Sequence, residues 1–134
     1  MGTRAIYTFI DPNYVDDKFH IYSQYDNYPK GAAELIERAL SYSWELPRFE
    51  ADEFAAAFVA ANKPKRGGGI RLCNNENDSY DLDYRYEITT INKDLKITCF
   101  TQQPYSSDPE GIDLQWLPIF EGDLDAFKHW GKDN

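Results

Sequence analysis

The stretch Tyr22-Ser23-Gln24-Tyr25-Asp26-Asn27-Tyr28-Pro29-Lys30-Gly31 packs tyrosines, an acid and a base more densely than any other part of the chain. Tyrosine supplies a stacking face and a hydroxyl donor, and Asp26 a carboxylate able to serve as acid or base. Arg4 joins this group by topology: if the first two strands pair, their hairpin brings Arg4 close to the turn after Tyr25. An arginine placed there could fork onto Asp26, or onto a phosphate or carboxylate of a ligand. Backbone N–H groups at the start of the following helix would add an anion seat. The bland alternative is a structural Arg4–Asp26 pair that pins the strand end and caps the helix.

A second cluster is the basic glycine loop of Lys63, Lys65, Arg66, Gly67 to Gly69 and Arg71. Glycine backbone can wrap a phosphate that lysines neutralise. The order is not that of a Walker loop, because the lysines precede the glycines, and no G-x-G-x-x-G is present. A solvated turn between helix and strand is the competing reading. Arg4, Tyr25, Asp26, Tyr28, Lys63, Arg66 and Arg71 are therefore the candidate ligand-binding residues. The acidic loop Glu76, Asp78, Asp81 and Asp83 lacks the register of a calcium loop and reads as solvated. Cys73 and Cys99 fall on different strands without metal-ligand spacing and read as buried thiols. His20 and His129 show no Cys-His or Ser-His pairing at informative spacing. No catalytic residue, metal or cofactor is assigned.

The elements that must position these groups follow from periodicity. Thr3 to Ile10 and Phe19 to Tyr25 alternate as strands and predict an antiparallel hairpin. Pro29 predicts a helix starting near Lys30 or Gly31, with Leu35, Ile36, Ala39 and Leu40 on its inner stripe. A second helix is expected over Ala51 to Asn62, with Phe54, Ala55, Phe58 and Val59 inward and Pro64 as its stop. Gly69 to Cys73 is a short strand. Tyr84 to Ile91 and Leu95 to Phe100 form a hairpin around Asn92-Lys93-Asp94. Leu114 to Trp116 is an optional edge strand, and Asp123 caps a last helix over Leu124 to Trp130. Trp44, Trp116 and Trp130 with Phe49, Phe54 and Phe58 are expected mainly in the core. Some tyrosines, such as Tyr80, Tyr84 and Tyr86, are expected to be exposed on one sheet face. The order β-β-α-α-β-β-β-α predicts one α+β domain over residues 1–134, a mainly antiparallel sheet of about five strands with helices on one face.

Composition narrows the function classes. The chain has 134 residues, net charge −9 and a hydrophobic fraction of 42%. Such an acidic chain repels phosphate backbones at long range, so general nucleic-acid binding is not expected. No apolar run reaches the ~20 residues of a membrane helix, and the N-terminus shows no secretory pattern, so a cytoplasmic protein is expected. Exposed tyrosines favour interfaces, self-association included.

Met1-Gly2-Thr3-Arg4, taken with Tyr22-x-x-Tyr25-Asp26-x-Tyr28-Pro29, resembles a group of small phage and bacterial proteins. They open with Met-Gly/Ala-Thr-Arg and carry Tyr-x-x-aromatic-Asp-x-Tyr on the second strand. Phe120-Glu121-Gly122-Asp123-Leu124-x-x-Phe127 looks like a recurring C-terminal element of the same group. The resemblance is good up to about Lys30. It implies a phage or prophage source, hence the host cytoplasm, and no mechanism.

The expected function is non-catalytic binding of a small anionic, nucleotide-like ligand. An alternative is an acidic protein that blocks a host or nucleic-acid-binding partner through Asp16, Asp17, Asp52, Glu53 and the acidic loop. A small hydrolase using Asp26 is the third reading.

Overall fold

The structure, a computed structural model, describes residues 2–74, 82–104 and 114–134. Among the described residues, six strands and three α-helices run in the order β1 (Ala5–Ile10), β2 (Lys18–Ser23), α1 (Pro29–Leu40), α2 (Ala51–Arg66), β3 (Ile70–Cys73), β4 (Tyr84–Ile91), β5 (Asp94–Pro104), β6 (Leu114–Gly122) and α3 (Leu124–Gly131). One sheet holds all six strands in the spatial order β3-β2-β1-β4-β5-β6. Every neighbouring pair is antiparallel except β1 and β4, which lie parallel at the centre. The α+β class with helices on one face agrees with the sequence. The strand count does not: β6 is a full strand of nine residues, not an optional fragment.

Strand alternation sorts the core. Ala5, Tyr7 and Phe9 of β1 stand in register with Ser23, Ile21 and Phe19 of β2 and with Tyr84, Tyr86 and Ile88 of β4. They face the helices, where Leu35, Ile36, Phe54, Phe58 and Phe127 are fully buried against them. Each large apolar side chain so buried contributes about 1.5–3 kcal/mol. The rings form a continuous stack, with Tyr7 against Tyr86 at 5.0 Å and Phe58 at 4.7 Å. On the other face Ile6, Tyr22 and Leu82 form a smaller cluster, with Cys73 and Trp116 packed on it.

Local chemistry accounts for most boundaries. Pro29 occupies the first turn of α1, where a missing N–H costs nothing. Asn92 and Lys93 both take positive φ, 51° and 73°, giving the two-residue turn whose twist suits a hairpin. The Asp123 carboxylate accepts from Ala126 N at 2.8 Å and starts α3. Pro64, expected to stop α2, lies inside it, and the helix runs on to Arg66. A proline there frees only the carbonyl of Ala60, which is on the exposed side, and the last turn is secured by another device. Lys63 Nζ donates to the carbonyls of Gly67 and Ile70 at 3.0 and 2.9 Å. Asn62, fully buried, ties α2 to α1 by donating to Leu35 O at 3.0 Å. Lys128 Nζ meets Glu37 at 2.7 Å and ties α3 to α1. Among the described residues no helix is long and apolar enough to cross a membrane.

The aromatic expectations need two corrections. Tyr86 is fully buried and Tyr84 half-buried, because both point to the helix face in register with Tyr7 and Ala5. Trp44 is 37% exposed, under the Arg48 guanidinium at 3.5 Å from its ring centre. Trp116 and Trp130 are half-buried, and Phe49, Phe54 and Phe58 are core. Tyr80 and three of the acidic-loop residues, Glu76, Asp78 and Asp81, lie outside the described residues.

Candidate functional site

The turn between β2 and α1, residues 24–28, is built around a buried asparagine. Asn27 has no exposed surface, and its Nδ2 donates to the carbonyls of Thr3, Ser23 and Tyr25, each at 2.9 Å. Its Oδ1 accepts from the Tyr7 hydroxyl at 2.7 Å, and its carbonyl accepts from the Tyr86 hydroxyl at 2.6 Å. Its backbone N–H donates to Thr3 O at 3.1 Å. One residue therefore fastens the N-terminal segment, β1, β2 and β4 to a single point. Burial holds the phenols of Tyr7 and Tyr86 well above the usual tyrosine range, and the Arg66 charge partly offsets this at Tyr7.

Asp26 takes φ 56° so that Asn27 can turn inward while its neighbours turn out. Tyr25 and Tyr28 are 46% and 40% exposed. They diverge. Tyr25 leans toward the β3 side, where a Cβ on Gly69 would stand 3.0 Å from its ring. Tyr28 leans toward the β4–β5 side and lines an open cleft of about 450 Å3 with Thr3, Leu82, Asp83, Tyr84, Thr101 and Gln102.

The glycine loop and the tyrosine turn meet. Gly67 to Gly69 form a single 3-10 turn, and Gln24 N donates to Gly69 O at 3.0 Å. An Arg66 guanidinium nitrogen donates to Tyr25 O. Gly67 takes φ 53°, and a Cβ on Gly67 or Gly68 would meet nothing within 4 Å, so this backbone is open to approach. Lys63 lies one helical turn before, its ammonium on the Gly67 and Ile70 carbonyls. Tyr25, Lys63 and Arg66 are thus brought together, with Asp26 on the same turn.

Arg4 follows Thr3, whose carbonyl accepts from Asn27 N, and Arg71 follows Ile70, whose carbonyl accepts from Lys63. Arg4 N donates to the Asp83 carboxylate at 2.9 Å, and Arg4 O accepts from Asp83 N and Tyr84 N. These bonds dock the start of β1 on β4. Arg71 lies over the Tyr22 ring at 4.8 Å, on the sheet face away from the helices. The expected anion seat at the start of α1 is filled by the chain itself. A Cβ on Gly31 would drive into the Asp26 carbonyl, and a Cβ on Gly131 would stand 3.2 Å from Lys30 N. The negative end of α3 thus covers the positive end of α1.

The sequence reading missed Asn27, Tyr7 and Tyr86 as the frame of this site. An asparagine between Asp26 and Tyr28 reads as an ordinary turn residue, and nothing in its type announces complete burial. Burial also drives the Cys99 thiol, beside Tyr86 across the β4–β5 pair, up to about 12. Among the described residues no group of three or more His, Cys, Asp or Glu side chains is arranged to hold a metal ion. The chain matches no protein-family model, no curated protein and no solved structure.

Proposed function

We propose that the protein is a non-catalytic, phage-type binding protein that holds a small anionic, nucleotide-like ligand where the 24–28 turn meets the 67–69 glycine turn. One juxtaposition supports this. The exposed Tyr25 ring stands against Gly69, flanked by Arg66 and Lys63, in a chain of net charge −9. A base would stack on Tyr25, and a phosphate would lie along the open backbone of Gly67 and Gly68. Arg66 and Lys63 would neutralise it, with Asp26, Arg4, Arg71 and Tyr28 at the margins. The cleft beside Tyr28 suits an anion less well, because Asp83 lines it. Asp26 is exposed on the turn, so the hydrolase reading is not the one preferred.

Mass spectrometry of small molecules released by denaturing the purified protein tests this reading. The wild type is expected to release a stoichiometric phosphate compound and Arg66→Ala none. A wild type that is empty and shows no heat on calorimetric titration with nucleoside mono- and triphosphates overturns the proposal.

A second reading rests on a different observation. Asp11, Asp17, Glu50 and Asp52 gather around an open depression of about 370 Å3 with the exposed rings of Tyr14 and Phe19. Such a surface suits the basic groove of a partner protein. Complex formation would then weaken steeply with salt, and salt-insensitive binding would sink it.

A further inference from the structure

On its β4–β5 side the 24–28 turn borders the open cleft of about 450 Å3, which lies at the starts of β1 and β4. Tyr28 and Tyr84 contribute rings to its walls, Thr3 and Thr101 hydroxyls and Gln102 an amide. Among the described residues that line it, Asp83 alone brings a charge.

These parts are held in place. Tyr84 is the last ring of a column that runs through Phe58, Tyr7 and Tyr86, and it stacks on Tyr86 at 5.9 Å. Tyr28 sits immediately before the first turn of α1. Asp83 and Arg4 exchange two bonds: Arg4 N donates to the Asp83 carboxylate at 2.9 Å, and Asp83 N donates to Arg4 O at 2.9 Å. The amide that fixes the carboxylate is neutral, so the negative charge remains at the cleft.

Aromatic rings beside a fixed carboxylate suit an ammonium group. The rings attract the cation through their quadrupoles, and the carboxylate supplies its countercharge. A metal ion would want several oxygen, nitrogen or sulfur ligands, and among the described residues no group of three or more His, Cys, Asp or Glu offers them. The net charge of −9 also draws cations in from a distance.

We propose that this cleft binds a small organic ammonium ion, with Asp83 as its countercharge and Tyr28 and Tyr84 as its aromatic walls. Thr3, Thr101 and Gln102 would accept from its N–H groups where it has them. The proposal does not depend on the anion site described above, and either can fail alone.

Proton NMR of the tyrosine rings, during titration with choline or butylammonium at constant ionic strength, tests it. Each cation is expected to shift the Tyr28 and Tyr84 rings saturably, with a Kd on the order of 1 mM. The neutral alcohol in which carbon replaces the choline nitrogen should shift neither. Asp83→Asn keeps an oxygen to accept from Arg4 N and removes the charge, so it should weaken binding about tenfold. Tyr28→Leu keeps apolar bulk without the ring and should weaken it about fivefold. Both positions are exposed, so the variants should fold, which circular dichroism checks. Tighter binding of choline would identify a methylated ammonium as the guest, and tighter binding of butylammonium a primary amine. Rings that do not respond up to about 50 mM cation overturn the proposal. Equal binding of the neutral alcohol, or unchanged affinity in Asp83→Asn, overturns it as well. So does a shift of the rings by glucose that neither cation produces.

Discussion

The inward and outward sides of the 24–28 turn use the same residue types for opposite ends. Inward, Asn27 joins Tyr7 and Tyr86 in a buried hydrogen-bond network. Outward, Tyr25 and Tyr28 spread exposed rings, one toward the glycine turn and one toward the β4–β5 cleft. A tyrosine's role here is set by what its hydroxyl can reach. Where an amide waits in the core the ring is architecture, and where only solvent waits the ring is available surface. The rigid inward half is what lets the outward half hold a fixed shape.

Mutations can separate the two halves. Asn27→Ala should have the largest effect, about 3 kcal/mol or more of lost stability in urea unfolding, since it strands the Tyr7 hydroxyl and takes the side-chain donor from the carbonyls of Thr3, Ser23 and Tyr25. Loss below about 1 kcal/mol would show that the network is not a keystone. Gly31→Ala comes next. Alanine for glycine in a helix normally stabilises by about 1 kcal/mol, but here the Cβ meets the Asp26 carbonyl, so a loss of about 2 kcal/mol is expected. A rise in melting temperature would contradict that packing.

Tyr7, Tyr86 and Cys99 provide a milder, reversible probe. All three are held protonated in the folded protein above their ordinary values by burial. An unfolded chain would release these protons sooner, Cys99 first, from its ordinary value of 9.0, and the tyrosines from 10.0. Their contribution is therefore complete below pH 9 and is lost as pH climbs toward 12. Unfolding midpoints should fall across that window, and Cys99→Ala should delay the onset of the fall. A flat profile would argue that these groups are less enclosed than they look.

Arg66→Ala should have the smallest effect on stability, within about 0.5 kcal/mol, because it removes a half-exposed contact. If it also abolishes ligand retention, the outward side is functional surface alone. If it unfolds the protein, the division between the two sides fails.

Much of the architecture could be read from residue patterns. Alternation in Thr3–Ile10, the turn at Asn92-Lys93 and the cap at Asp123 each name their structure because the cause is local. The parallel pairing of β1 with β4 was not legible, since alternation says which face a residue takes and not which strand lies beside it. Tyr84 and Tyr86 were expected nearer the surface because a phenol suits either setting. Its register beside Tyr7 and the Asn27 carbonyl, both far away in sequence, decide for Tyr86. For the candidate site, the turn and the glycine loop were visible as compositions. Their meeting through Arg66 and Tyr25 was not, because 41 residues separate the partners.

The parallel seam between β1 and β4 also bears on how the chain folds. On one side of it, β1, β2 and β3 follow one another across the sheet, and on the other β4, β5 and β6 do the same. The β1–β2 and β4–β5 pairs join strands close in sequence, whereas the seam joins residues such as Arg4 and Asp83, 79 positions apart. Closing so long a loop is slow, so the seam should zip after the halves have formed. Asn27 and Tyr86 reach across it from opposite halves. Their bond would then be among the last to close on the way in and among the first to mark a molecule coming apart.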